Sequence, residues 1–222
     1  MTVVYLMRHS IASKNIDFSN ENGSFQDENK KFILSIDGER KAFLYSKLKE
    51  LNGINTVVSS NYIRAISTAK YIAEKNKIPV KVDSAFDERE FGVDDKNKIP
   101  NDFFKKQFLN HNYKLEKGES FQDVKNRAIK GLVNVIKNNY GKKSLIVTHG
   151  STITFLLSKW CDVEYSGKYI IKFKEKIIVD GFSSPDLLEL KFNEKNKLVN
   201  IRRIILNSKT SYNHKSNKQK RK

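Results

Sequence analysis

Tyr5-Leu6-Met7-Arg8-His9-Ser10 and Leu145-Ile146-Val147-Thr148-His149-Gly150 share one construction. In each, an apolar run reads as a buried strand, and the chain turns directly after a histidine. Two such strands far apart in the sequence, with helical patterns between them, argue for an α/β domain with a mostly parallel sheet. Ligands bind outside the carboxyl ends of the strands in open sheets of this kind. Both histidines therefore project toward the place where a site is expected. A single strand-end histidine is more often structural. Here two of the four histidines in the chain occupy strand ends, which turns the reading toward function.

Outward from these strands the pattern continues. Residues 56–59 and 80–82 read as further strands. Residues 38–52 read as a helix, with Ala42, Tyr45, Leu48 and Leu51 on one face. Asn61 reads as the cap of a helix reaching about residue 77, with Tyr62, Ala65, Ile66, Ala69, Ile72 and Ala73 as its apolar face. Ser120 and Asp123 form a capping-box pattern before a stripe of Phe121, Val124, Ala128, Leu132 and Val135. Residues 150–160 are helical and apolar, and 187–192 with 198–205 read as an edge hairpin. Residues 10–36 read as a long polar loop with a helical turn. Residues 92–118 read as a partly helical insertion that carries Phe103, Phe104, Phe108 and Tyr113.

The 222 residues suit one domain over 1–207, followed by a basic segment over 208–222. That segment has six Lys or Arg, no acid and no apolar period, which predicts a disordered tail. One cysteine, Cys161, excludes a disulfide framework. No apolar run approaches the ~20 residues of a membrane span. The chain reads as soluble and cytoplasmic, with no membrane partner. Its net charge of +17 attracts anions. The excess, however, is 34 Lys against 8 Arg, beside 22 Asn. A low-GC genome produces that bias without selection for a partner, whereas nucleic-acid readers favour arginine forks. No obligate nucleic-acid partner is expected, and the oligomeric state is left open.

Arg8, at the end of a buried strand, is costly unless an anion meets it. Its planar fork suits phosphate or carboxylate. Arg64 lies in the first turns of the second helix, where free N–H groups also favour anions. Taken alone it reads equally well as a surface arginine. Two arginines, two histidines and a helix start would converge on one anionic group.

These residues resemble the histidine phosphatase superfamily, with its phosphoglycerate-mutase-like fold. Arg8-His9-Ser10 is similar to the family's opening Arg-His-Gly, and Asn15 stands six residues after the histidine. Ser59-Ser60-Asn61-Tyr62-Ile63-Arg64-Ala65-Ile66-Ser67-Thr68-Ala69 looks like its second signature. Phe86-Asp87-Glu88-Arg89-Glu90-Phe91-Gly92, Gly118-Glu119-Ser120 and His149-Gly150 follow in order. The fold so implied has three layers: a mostly parallel central sheet, helices on both faces and an antiparallel edge hairpin. Serine at position 10, where the family has glycine, is expected to unsettle the local backbone, because serine adopts positive φ poorly.

The resemblance implies catalytic roles for His9, Glu88, Arg8, Arg64 and His149. His9 would attack phosphorus and form a phosphohistidine. Arg8, Arg64 and His149 would hold the phosphoryl oxygens, with Asn15 also binding substrate. Glu88, selected by its register with Gly92 over Asp87 and Glu90, would protonate the leaving alkoxide and then activate water. Arg89 reads either as a rim residue touching substrate or as a surface cation. No metal or cofactor is expected. The activity so implied is hydrolysis of a small phosphorylated metabolite. A mutase is the first alternative. The family's mutases carry a Trp- and Pro-containing insertion after the acid segment, and residues 92–118 hold neither a Trp nor a Pro-Pro pair. The second alternative is a protein that binds anions or nucleic acid through its basic tail.

Overall fold

Among the described residues, six strands form one sheet. The computed structural model describes residues 1–13 and 24–206. Strand β1 (Thr2–Arg8) runs parallel to β4 (Lys143–Thr148). Strands β2 (Thr56–Ser59) and β3 (Val80–Val82) extend the parallel part. On the other side of β1, β8 (Asp186–Phe192) and β9 (Leu198–Ile204) add an antiparallel hairpin at the edge.

Alternation along the strands divides the core in two. Val4, Leu6, Ile146, Leu188 and Leu190 face one layer, which holds α5 (Phe121–Asn138) and α6 (Gly150–Leu157). Tyr5, Met7, Leu145, Val147 and Leu187 face the other, with α2 (Ile36–Ser46) and α3 (Ile63–Asn76). Strands covered on both faces lack polar alternation, which is why β1 and β4 read as continuous apolar runs. The expected α/β fold, mostly parallel with helices on both faces, is therefore present.

Several boundaries differ from the sequence reading. Helix α2 starts at Ile36, because the Ser35 hydroxyl accepts from the Gly38 N–H, and it ends at Ser46. A separate 3₁₀ turn covers Lys49–Leu51. Asn61 is not a helix cap; Tyr62 holds that position without a side-chain bond. The loop over 10–36 contains α1 (Phe25–Lys31), which starts at a capping box of Ser24 and Asp27. Three short strands absent from the sequence reading, β5 (Asp162–Tyr165), β6 (Tyr169–Phe173) and β7 (Lys176–Asp180), form a second antiparallel sheet.

The segment 92–118 carries α4 (Phe103–Leu109) and closes on itself. Gly92 has a φ of +73°, and a Cβ there would lie 2.2 Å from the Gly118 nitrogen. Its two ends therefore touch through glycine backbone. A second close approach serves the site. A Cβ on Gly131 of α5 would lie 2.7 Å from Ala85 Cβ and 2.9 Å from Phe86 Cζ. Glycine there lets α5 pack directly on the Ser84–Phe86 turn that leads into Glu88.

Candidate active site

The β1–β4 register sets the two histidines side by side. Arg8 is paired with Thr148, and the His9 N–H donates to the Thr148 carbonyl at 2.9 Å. The rings of His9 and His149 lie 5.1 Å apart and are tilted by 59°. Both are buried.

Their partners fix their tautomers. His9 Nδ1 lies 2.7 Å from the Ser10 carbonyl, which can only accept, so Nδ1 carries the hydrogen. Nε2 then has a free lone pair, and it accepts from Arg64 Nε at 3.1 Å. His149 Nδ1 faces the Arg64 guanidinium at 3.3 Å, a group that can only donate. Its Nε2 therefore donates to Ser60 Oγ at 2.8 Å. Burial holds the pKa of both rings well below the usual imidazole range, and the charge of Arg64 pushes the same way. Both imidazoles are neutral at pH 7.

The cations are placed by ordinary backbone groups. Arg64 Nη1 donates to the Asn29 carbonyl of α1, and its guanidinium lies 4.6 Å from the Tyr62 ring centre. Arg8 Nη1 donates to the carbonyls of Phe182 and Ser183 at 3.1 and 3.2 Å. Arg8 Nε is buried without a partner. Burial lowers the pKa of both arginines, and the charge of Glu88 offsets part of that effect. An unpartnered guanidinium N–H beside a neutral imidazole suits an incoming dianion.

Glu88 closes the other side. Its Oε2 stands 3.9 Å from His149 Nδ1, and its Oε1 accepts from the Arg89 N–H at 3.0 Å. Its side chain is 16% exposed, so solvent reaches it. The neighbouring acids are occupied elsewhere. Asp87 accepts from Asn61 N and Nδ2 at 2.7 and 3.0 Å. Glu90 pairs with Lys30 at 3.5 Å. A basic imidazole nitrogen, two guanidinium groups and a reachable carboxylate brought together can support nucleophilic phosphoryl transfer with acid–base assistance.

The model of the histidine phosphatase superfamily (branch 1) matches residues 4–175. The chain belongs to the histidine phosphatase superfamily. Among its relatives is the probable phosphoglycerate mutase GpmB of Salmonella arizonae, 26% identical over 165 residues, which cover 71% of this chain and 74% of that protein. Similar solved structures include Bacillus stearothermophilus YhfR, with a TM-score of 0.67 at 19% identity, covering 90% of this chain and 95% of that one. Another is a mycobacterial glucosyl-3-phosphoglycerate phosphatase solved with VO3, with a TM-score of 0.66 at 17% identity, covering 92% and 98%. They share the phosphoglycerate-mutase-like fold of this histidine phosphatase.

Within this family member the structure brings Arg8, His9, Arg64, Glu88 and His149 together. Asn15 lies outside the described residues. Two expectations are corrected. Ser10 does not strain the backbone: its φ is not positive, its hydroxyl donates to the Gly38 carbonyl at 2.7 Å, and its N–H donates to Thr68 Oγ1 at 2.9 Å. Arg89 is neither a rim residue nor a surface cation. It is 2% exposed, bracketed by Phe91, Phe103, Phe104 and Phe155, and bonded to Gln107 and Ser151. The sequence reading assigned no contact to Ser60 or Ser184, although Ser60 sits in a polar pair ending a buried strand. Ser184 Oγ donates to the His9 carbonyl at 2.7 Å, and it follows a strand of five residues, too short to be read.

Proposed function

We propose that the chain hydrolyses phosphomonoesters of small metabolites through a phosphohistidine on His9. The observation that carries the reading is the tautomer of His9. Its Nδ1–H is committed to the Ser10 carbonyl, so the basic Nε2 faces Arg64. Nε2 attacks phosphorus as the bond to the leaving oxygen breaks, and Glu88 gives that oxygen its proton. The Ser10 carbonyl stabilises the positive charge that develops on the ring. Water, deprotonated by Glu88, then attacks phosphorus, the N–P bond breaks, and inorganic phosphate leaves. Arg8 and Arg64 hold the equatorial oxygens throughout, His149 joins them by taking up a proton at Nδ1 as the dianion binds, and Asn15 is assigned to substrate binding. The protein's own cations supply the charge neutralisation, so the reaction needs no metal. The reading takes 1–207 as the domain and gives residues 208–222 no role in the chemistry.

The test is a short incubation with ³²P-labelled substrate. Acid-labile, base-stable label on His9, absent from His9→Ala, is the expected result. Wild-type turnover by His9→Ala would overturn the reading. The names of the GpmB relatives favour a second reading, transfer within a phosphoglycerate. With 3-phosphoglycerate, free phosphate marks the hydrolase and 2-phosphoglycerate marks the mutase.

A further inference from the structure

The sequence motif Gly118-Glu119-Ser120 has no place in the chemistry above, yet Glu119 sits beside the acid. Its two carboxylate oxygens take one edge of a guanidinium: Arg127 Nε donates to Oε1 at 2.7 Å and Nη2 to Oε2 at 2.8 Å. The same guanidinium reaches the main chain around Glu88. Nη1 donates to the carbonyls of Ala85 and Asp87 at 3.0 and 2.9 Å, and Nη2 donates to the Glu88 carbonyl at 3.3 Å. Glu119 Oε2 also accepts from the Glu90 N–H at 3.0 Å. Thr152 Oγ1 of α6 adds a bond to the Asp87 carbonyl at 2.8 Å, and Thr148 Oγ1 takes the Phe86 carbonyl. Every carbonyl from Ala85 to Glu88 is thus tied down, although the segment after Phe86 belongs to no helix or strand.

We infer that the Glu119–Arg127 pair is the positioning clamp of Glu88, fixing its carboxylate against the leaving oxygen without touching substrate. The inference rests on the proposed acid role of Glu88. The physical need is clear. An irregular segment holds a side chain poorly, and a misplacement of about 1 Å in a reacting group costs on the order of 10²-fold in rate. An ion pair does this without adding net charge beside the phosphate. Only a planar fork can serve a carboxylate and three carbonyls at once. Gly131, four residues after Arg127 and so on the same face of α5, lets the helix come close enough for the fork to reach.

The experiment compares Arg127→Lys with Glu88→Gln on an alkyl phosphate and on p-nitrophenyl phosphate. A single ammonium cannot span the carbonyls, so Arg127→Lys should slow phosphorylation of His9, read as kcat/KM, about 10²-fold on the alkyl ester and under about 10-fold on the aryl ester. The double variant Arg127→Lys/Glu88→Gln should lose no more than Glu88→Gln alone, because the clamp acts only through Glu88. Equal losses on both esters, or losses that add in the double variant, would reduce the pair to a stability element and overturn the inference. Thr152→Val removes one bond to the same loop and should give a smaller loss of the same selectivity, on the order of 3–10-fold. It supplies the test if Arg127→Lys fails to fold, and a loss without selectivity there overturns the inference too. If Glu88→Gln itself shows no ester selectivity, the acid reading fails and the clamp fails with it. A selective Glu88→Gln beside an unselective Arg127→Lys overturns the clamp alone.

Discussion

Exchanging Glu88 for glutamine separates proton donation from every other property of the site. Glutamine keeps the volume, and its amide oxygen can still accept from the Arg89 N–H now held at 3.0 Å. A volume-conserving change at a side chain that solvent reaches should cost under about 1.5 kcal/mol of stability. What it removes is the transferable proton. General acid catalysis contributes ~10²–10⁴-fold, or about 2.7–5.5 kcal/mol of barrier. The full loss is expected with an alkyl phosphate, whose alkoxide departs poorly without a proton. With p-nitrophenyl phosphate the first step needs little help, while hydrolysis of the phosphohistidine still lacks its base. Stopped-flow absorbance should then show a burst of nitrophenol, near one equivalent per site, followed by a slow steady rate. Asp87→Asn and Glu90→Gln are the controls. Asp87 is spent on both nitrogens of Asn61, so its exchange should cost about 1 kcal/mol of stability and leave the alkyl-to-aryl ratio unchanged. Equal losses on both esters without a burst would refute the role of Glu88, and so would a larger alkyl-specific loss in either control.

Ser60→Ala should strand the buried Nε2–H of His149, whose acceptor at 2.8 Å disappears, and cost about 1–3 kcal/mol in chemical denaturation; no loss would contradict the tautomer assigned here. The depressed pKa values of His9 and His149 predict a fold that weakens in acid. Below about pH 6.5 the unfolded imidazoles take up protons and the folded ones do not, so each ring should remove about 1.4 kcal/mol per pH unit until its own folded pKa is reached. Urea titrations between pH 7 and 5 measure the slope, and His149→Gln should reduce it by the share of one ring. Gly92→Ala should destabilise by about 2–5 kcal/mol, from a positive φ and a contact 2.2 Å from backbone; a melting temperature within 2–3 °C of the parent would contradict the closure described, since about 1 kcal/mol moves it by roughly that much in a domain of this size. Turnover should persist in excess EDTA, because the proposed reaction draws its charge neutralisation from the guanidinium groups of Arg8 and Arg64; loss on chelation with recovery on one added metal would contradict it.

The central layers of the fold were legible because burial writes itself into sequence. Strands β1, β2 and β4 are covered on both faces and must be apolar throughout, and the capping box of Ser120 and Asp123 marks the start of α5 to the residue. What escaped was set by contacts between distant segments. Asn61 looked like a helix cap, but the Asp87 carboxylate, 26 residues away, claims both of its nitrogens. The strands over 162–180 are short and exposed along one face, so no apolar period announced them. Their loop nonetheless supplies the carbonyls that hold Arg8. The site followed the same rule. His9, Arg8, Arg64 and His149 sit at the ends of regular elements, where position can be counted. Arg89 could not be placed by counting, because its four aromatic neighbours come from three separate stretches of chain.

The contact between Gly92 and Gly118 makes the intervening segment a cassette. Its two ends meet at one point on the body, so its length is uncoupled from the geometry of the sheet, while Phe103, Phe104 and Gln107 within it reach back to Arg89 beside Glu88. Lengthening such a closed loop costs only about 0.6 kcal/mol per doubling. Segments of other lengths can therefore be accommodated between these two glycines, provided that they keep the contacts of Phe103, Phe104 and Gln107 to Arg89.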